Sequence, residues 1–356
     1  MNIAVDSTTL AISNSGITSY LKGLQEGFAQ LKATPSLTLY TPNTNIKNRK
    51  LRTIHRELYW QQYWLPKMAA KDGNQLLFSP SHNVALRSSI PRVVTFHDFY
   101  LLRNPQSFTA WHRWYGTKFY PKIINSGCNI IVISKFTESE LYHFFPKAFA
   151  NIRVIPNAIS DEWRRIHDEV SIQNVIKKHC LPNEFILAVG SVEPRKNLSV
   201  LFRIIKNDPK LPPLVLISPG GWNNASELAE IRKLQEIKRL YWLNNIDRDE
   251  LIHIYNKALV FVYPSLYEGM GAPPLEAMAC GCPVITSNNS ALAEYYSGIA
   301  HLIDPLNEEE IGFAIQSVLV SSQKREEMIA KGLKHKEHFS FYKVAERTLN
   351  YFQELI

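Results

Sequence analysis

Between Tyr267 and Ala277 the chain reads Y-E-G-M-G-A-P-P-L-E-A, with two carboxylates, two glycines and two prolines in one short stretch. Each of these residue types has a use beside a ligand. The apolar run Leu259–Tyr263 ahead of it predicts a buried strand, which Pro264 ends. Gly269 and Gly271 allow the backbone to approach a ligand with no side chain in between. Pro273 and Pro274 suit the first turn of a helix, where the N–H they lack would have no intrahelical partner. A loop that opens a helix at the end of a strand attracts anions, phosphate above all. A phosphate site alone would not place Glu268 and Glu276 alongside, so both carboxylates are assigned to hydroxyl groups. Phosphate together with hydroxyls points to a sugar nucleotide. For Glu276 taken singly another reading stays open, because a carboxylate in a first helical turn is stabilised by about 0.3–1 kcal/mol through the helix dipole alone. Glu268 precedes the helix and has no such reason to be there.

A second constellation lies upstream. Gly190 ends another apolar run, and Glu193-Pro194-Arg195-Lys196-Asn197 turns the chain into a helical pattern. Two adjacent cations at such a turn could merely solvate a loop. They could also meet a diphosphate leaving group, whose charge grows as a glycosidic C–O bond breaks, and so bind the transition state more tightly than the ground state.

Short apolar runs alternate with helical patterns throughout, and these must carry the two constellations. Candidate strands are Asn2–Val5, Leu37–Tyr40, Gln75–Phe78, Arg92–Phe96, Asn129–Ile133 and Arg153–Ile155, then Phe185–Val189, Leu214–Ile217, Arg239–Trp242, Leu259–Tyr263, Val284–Thr286 and Ala300–Ile303. Such alternation predicts parallel sheets covered by helices on both faces. At 356 residues the chain suits two domains better than one core. We expect an α/β protein with a first Rossmann-like domain over residues 1–165, a linker over 166–183 within a polar stretch, and a second Rossmann-like domain over 184–340. Two such domains facing across a cleft would bind ligands at the carboxyl ends of both sheets.

The segment E-G-M-G-A-P-P-L-E, with seven residues between Glu268 and Glu276, resembles the E-x7-E signature of retaining GT-B glycosyltransferases of family 4, the glycosyl transferases group 1. A-M-A-C-G-C-P-V-I-T-S follows it, as in that family. Five more motifs in the family's order extend the resemblance along most of the chain: G-I-T-S-Y from Gly16, T-F-H-D from Thr95, V-I-S-K-F-T from Val132, V-I-P-N-A from Val154 and G-S-V-E-P-R-K-N-L from Gly190. The resemblance implies the GT-B fold, with a final helix at about 341–356 crossing back onto the first domain. It implies that Glu276 holds the ribose diol, that Glu268 lies near the donor sugar, and that the loop from Gly269 through Met270 and Gly271 to Ala272 covers sugar and phosphates. Gly16 would lie close to the diphosphate, although many relatives carry two glycines where this chain has Ser15-Gly16. The base would lie against Leu243, Asn244 and Ile246, after Trp242.

His97 follows the run R-V-V-T-F, and a lone histidine there could be a packed or surface residue. In the pair His97-Asp98 it resembles the family's contact to the transferred sugar or acceptor, with Asp98 on the acceptor side, orienting the ring or binding hydroxyls. The catalytic set implied is His97, Glu268, Arg195 and Lys196. Transfer would retain anomeric configuration and need no metal or other cofactor, since cations do the work of a metal and no D-x-D pair is assigned to one. The stretch H-D-F-Y-L-L-R-N-P-Q-S-F resembles the bacterial branch of mannosyl- and rhamnosyltransferases that build surface polysaccharides. GDP-mannose is the donor this suggests, and a growing, lipid-linked glycan such as lipopolysaccharide the acceptor.

Composition sets outer bounds. Hydrophobic content of 45% and charged content of 20% are those of a soluble globular protein. The chain opens on strand-like N-I-A-V without a basic leader, and no apolar run approaches the ~20 residues that span a bilayer, so a cytoplasmic location is expected. Cys128, Cys180, Cys280 and Cys282 lack zinc spacing and are expected to be reduced. The net charge of +8 permits anionic partners. Nucleic acid is not expected among them, for no zinc-finger spacing, ribonucleoprotein motif or basic arm occurs. Two aromatic and basic segments, His55–Lys67 and Trp111–Lys122, are either core faces or a patch for an anionic membrane surface. In the first, Tyr59, Trp60, Tyr63 and Trp64 would form one stripe of an α-helix. Two other classes of function compete: a GT-B nucleotide-sugar epimerase, which needs no acceptor, and a non-catalytic basic protein that binds nucleic acid in a salt-dependent way.

Overall fold

The computed structural model describes residues 1–12, 16–42, 46–148, 151–220 and 225–356. Among these, two compact units appear, one of residues 1–158 with 339–356 and one of residues 159–338. The first unit holds strands β1 (Asn2–Asp6), β2 (Ser36–Tyr40), β3 (Leu76–Ser79), β4 (Arg92–Phe96), β5 (Asn129–Val132) and β6 (Ile152–Val154). The second holds β7 (Ile186–Val189), β8 (Leu214–Ile217), β9 (Leu240–Leu243), β10 (Val260–Tyr263), β11 (Val284–Ser287) and β12 (His301–Ile303). Each strand starts and ends within one residue of the sequence expectation.

Every pairing is parallel. The sheet orders are β2-β1-β3-β4-β5-β6 and β9-β8-β7-β10-β11-β12. In the second sheet the order reverses between β7 and β10, the topological switch point beyond which doubly wound folds bind their ligands. The corresponding point in the first sheet lies between β1 and β3. Strands at the middle of the second sheet are buried on both faces: on one, Ile186, Ala188, Val260 and Val262 join Leu201, Ile205, Ile315 and Val318 of flanking helices in one core, and on the other Leu187 and Phe261 are fully buried. This is why they read as unbroken apolar runs.

The final helix, Phe341–Gln353, belongs to the first unit and packs on the helix Gly16–Ala29. Contact is close because two glycines face it: a Cβ at Gly23 would overlap the Phe341 ring, and one at Gly27 would overlap the Phe341 carbonyl. Tyr351 Oη donates to the Asn151 carbonyl at 2.9 Å, and Arg153 pairs with Glu354, so the helix is also tied at its end.

Two expectations are corrected. Residues 166–183 are no free linker, for they contain the helix Glu169–Lys178, capped by Asp168 and burying Ile172 and Ile176 within the second unit. Those two residues, one turn apart, make an apolar stripe too short to stand out in a polar stretch. The aromatic segment His55–Trp64 is π-helical rather than α-helical. With i→i+5 closure, residues four and five apart share a face. Tyr59, Tyr63 and Trp64 are accordingly exposed at 49%, 52% and 39%, whereas Trp60 turns to the core beside Leu65 and Leu77. The second aromatic segment is divided: Tyr115, Phe119 and Tyr120 are buried and the Trp111 indole donates to Glu57 Oε2 at 3.0 Å, whereas Trp114 and the basic residues are exposed. No helix among the described residues is long and apolar enough to cross a membrane.

Candidate active site

The two constellations of the second unit converge at its switch point, because one follows β7 and the other follows β10. After β7, Gly190 takes φ +147°, a 3-10 turn spans Pro194–Lys196, and Asn197 adopts a left-handed conformation at φ 52° before the helix Leu198–Asn207. The Arg195 carbonyl accepts from Leu266 N at 2.8 Å, with Ser265 Oγ 3.1 Å away, which fastens this turn to the loop after β10. That loop ends at Gly271, φ +80°, where a Cβ would also lie 2.5 Å from Leu292. The Gly271 carbonyl is held by Tyr296 Oη at 2.6 Å, and the helix Ala272–Ala279 begins there. Pro273 and Pro274 in its first turn carry no N–H. The donors at this helix end are therefore the loop amides of Met270, Gly271 and Ala272.

Glu268 is 6% exposed and sits at the centre. Its Oε1 receives Lys196 Nζ at 2.6 Å, Ser265 Oγ at 2.7 Å and Tyr263 Oη at 2.8 Å. Its Oε2 has Arg195 Nη1 at 3.5 Å. Burial alone would push this carboxyl up, but Lys196 and then Arg195 prevail and hold it at about 2. Lys196 Nζ also donates to Tyr263 Oη at 2.6 Å. Arg195 reaches Glu193 Oε1 through Nη2 at 3.0 Å and Nε at 3.3 Å, and Glu193 Oε2 is buried without a hydrogen-bond partner among the described residues. The two cations expected to meet a diphosphate thus already face two carboxylates. A bound diphosphate would add its charge to a neutral cluster rather than to a bare cationic one.

Glu276 contrasts with Glu268. Burial pushes it up to about 7, and Tyr255 Oη, 3.4 Å from Oε2, opposes this only weakly. Leu243 ends β9, the edge strand two strands from β7, and Asn244 and Ile246 follow it. At about 4.8 Å per strand they lie some ~10 Å along the sheet edge from the Arg195 turn, a span that suits an extended ligand. Leu243 and Ile246 are half-buried and Asn244 is exposed.

The remaining predicted residues belong to the first unit. His97 follows β4 and its Nε2 lies 2.8 Å from the Pro80 carbonyl, which requires the proton on Nε2. Burial lowers its pKa, so the ring is neutral with Nδ1 as an acceptor. Asp98 Oδ1 accepts from Tyr100 N at 3.0 Å. Gly16 opens the helix Gly16–Ala29, and a Cβ there would meet nothing within 4 Å. Its neighbour Ser15 lies outside the described residues. The one D-x-D triplet of the sequence, Asp247-Arg248-Asp249, begins the helix Arg248–Lys257, with Asp247 Oδ1 capping Glu250 N at 2.9 Å. Sequence reasoning missed Glu193, Tyr255, Tyr263 and Ser265. Tyr263 had been read only as the end of a buried strand, and Ser265 had no charge to attract notice.

Set beside known proteins, residues 172–335 match the family Glycosyl transferases group 1 and residues 39–163 match Glycosyltransferase Family 4. Among solved structures, sucrose-phosphate synthase from Thermosynechococcus elongatus superposes with a TM-score of 0.79 at 19% identity, covering 99% of this chain and 98% of that one. The fold is GT-B. The chain carries the domains of Glycosyl transferases group 1 and of Glycosyltransferase Family 4 and is a glycosyltransferase. It is 28% identical over 268 residues to O-antigen chain mannosyltransferase B of Escherichia coli, covering 74% of this chain and 70% of that protein. It is 30% identical over 235 residues to the serotype-specific mannosyltransferase WbdA of Escherichia coli, covering 64% of this chain but 29% of that longer protein.

Proposed function

We propose that this glycosyltransferase moves mannose from GDP-mannose to a hydroxyl of a growing, lipid-linked surface polysaccharide, with retention and without a metal ion. The observation that carries the reading is the ionised Glu268 between Lys196 and Arg195 at the switch point, in a chain similar to O-antigen mannosyltransferases. A carboxyl held at about 2 is a poor proton donor and a poor base, so Glu268 serves to bind. In the transfer proposed, the C1–O bond to the diphosphate breaks while the acceptor oxygen bonds to C1 on the same face. The acceptor's proton passes to the departing phosphate oxygen, and Arg195 with Lys196 stabilises the charge that remains. In this reading His97 Nδ1 would accept a hydrogen bond from a hydroxyl of sugar or acceptor, and Glu276 would take the ribose diol.

The test is a thermal-shift panel of GDP-mannose, GDP-fucose, UDP-glucose and UDP-N-acetylglucosamine, followed by a transfer assay in EDTA with the product anomer read by NMR. Selective stabilisation by GDP-mannose is expected, by about 2.7 kcal/mol at a hundredfold excess over Kd. Transfer should persist in EDTA and give the α-mannoside. Preference for a UDP-sugar would replace the donor, an inverted anomer would end the retaining claim, and loss of rate in EDTA would end metal independence.

Exposed Tyr59, Tyr63 and Trp64, with Lys67 Nζ 5.5 Å from the Tyr63 ring centre, support a second element of this reading, peripheral contact with the anionic inner face of the cytoplasmic membrane. Vesicles containing phosphatidylglycerol should sediment the protein and phosphatidylcholine vesicles should not, with Trp64→Ala weakening the difference. Equal sedimentation with both, or none with either, removes this element.

A further inference from the structure

We propose that Tyr263 and Ser265 are positioning residues that divide the Glu268 carboxylate into a fixed oxygen, Oε1, and a working oxygen, Oε2, which accepts a hydroxyl of the transferred sugar. The proposal rests on the donor reading above and assigns one atom to the sugar. A carboxylate oxygen offers about two lone-pair directions. Oε1 already receives three donors at 2.6, 2.7 and 2.8 Å, so it has no room for a ligand. Oε2 has, among the described residues, the Arg195 contact at 3.5 Å, at the limit of a hydrogen bond, while Arg195 points its closer nitrogens at Glu193.

The direction of each bond follows from what the groups can do. An ammonium only donates, so Tyr263 Oη accepts from Lys196 and must give its own proton to Glu268. Burial pushes the Tyr263 phenol well above its ordinary range, which keeps that proton in place. The ring is fixed where β10 ends, stacked on Phe261 at 5.8 Å, with its carbonyl accepting from Thr286 Oγ1 at 3.0 Å. Ser265, fully buried, lies in the same loop as Glu268 and gives its one proton to Oε1 at 2.7 Å, with the Arg195 carbonyl of the turn after β7 3.1 Å away. Neither residue needs to touch the ligand. Together they set the plane of the carboxylate and hence where Oε2 points. The ligand class this defines is a nucleotide sugar with a hydroxyl, not a hydrogen, opposite Oε2.

The test compares GDP-mannose with GDP by calorimetry on the native protein, Tyr263→Phe and Ser265→Ala, with thermal unfolding as a check on folding. Each variant should lose about tenfold in affinity for GDP-mannose, the effect of a misplaced hydrogen bond to a charged group, while GDP changes less than twofold. Among the 2-, 3-, 4- and 6-deoxy forms of GDP-mannose, one should bind the native protein about tenfold more weakly and lose nothing further on Tyr263→Phe. Equal loss for GDP and GDP-mannose would show a general structural role and overturn the proposal, as would no loss with either ligand. Should Tyr263→Phe fail to fold, Ser265→Ala carries the same comparison. A native protein that binds GDP-mannose no better than GDP overturns the assignment of Oε2; one that binds neither overturns the donor reading beneath it.

Discussion

Lys196→Met is expected to lower transfer about a thousandfold, and to destabilise the protein by about 3–5 kcal/mol. The stability loss follows from what Lys196 leaves behind. Glu268 would stay buried with Arg195 no nearer than 3.5 Å, and a carboxylate without its partner in such a place is strongly unfavourable. Glu268→Gln should destabilise in the same way, by stranding Lys196. Replacing both, as Lys196→Met with Glu268→Gln, removes both charges and should recover most of the stability, because the two sites couple. Transfer should stay at least a hundredfold down, since neither the leaving-group cation nor the sugar's carboxylate returns. Urea unfolding and initial rates on the four proteins read this directly. A double variant that recovered rate along with stability would reduce the pair to a structural role.

The pair also has an acid limb. Glu268 is held at about 2 against its ordinary 4.5, so its contribution to stability is complete above 4.5 and is lost as pH falls towards 2. In the double variant that part of the acid unfolding curve should be flatter.

GDP-mannose binding should strengthen as pH rises to about 7 and then level off, by up to about tenfold per unit below that point. The cause is Glu276, which burial pushes up to about 7 in the free protein. A ribose diol can give both its protons to the carboxylate but finds a weaker acceptor, with one oxygen occupied by a proton, in the acid, so binding below that pH favours release of the proton. GDP-mannose has no phosphate monoester to titrate in this window, which leaves Glu276 to set the slope. Glu276→Gln should bind weakly and without the slope. The same group acts on stability with the opposite sign. Its folded value lies above its unfolded 4.5, so the free protein loses stability as pH rises from 4.5 to about 7 and nothing more beyond. At pH 8 Glu276→Gln should accordingly be more stable than the native protein, by about 2 kcal/mol once partial exposure is allowed for. Affinity that is flat or falls between pH 5.5 and 7 on the native protein would remove Glu276 from the diol.

Much of the fold was legible because parallel strands covered on both faces must be apolar throughout, and Leu214–Ile217 or Val260–Tyr263 can be read directly from the chain. The helix Glu169–Lys178 was not legible, since Ile172 and Ile176 are too few to reveal a period. Nor was the π-helical turn, because side-chain type does not announce i→i+5 closure, and Trp60 changed faces with it. Within the site, charge and glycine drew attention to Arg195, Lys196, Glu268 and Gly271. Tyr263 and Ser265 matter through one hydrogen bond each and carry no such signal.

The sequence by itself determined which residues stand at the carboxyl ends of β7 and β10, and that both ends carry charge. Only the tertiary structure decided what those charges are. Glu268 and Glu276 are the same residue type eight positions apart, yet one is held at about 2 and the other at about 7. The difference comes from a turn some seventy residues earlier, which brings Lys196 and Arg195 against Glu268, while Glu276 has only a long hydrogen bond from Tyr255 and the more distant charge of Arg248 to set against its burial. Ionisation is set by burial and by neighbours from distant parts of the chain. Spacing alone can name two carboxylates and cannot tell them apart.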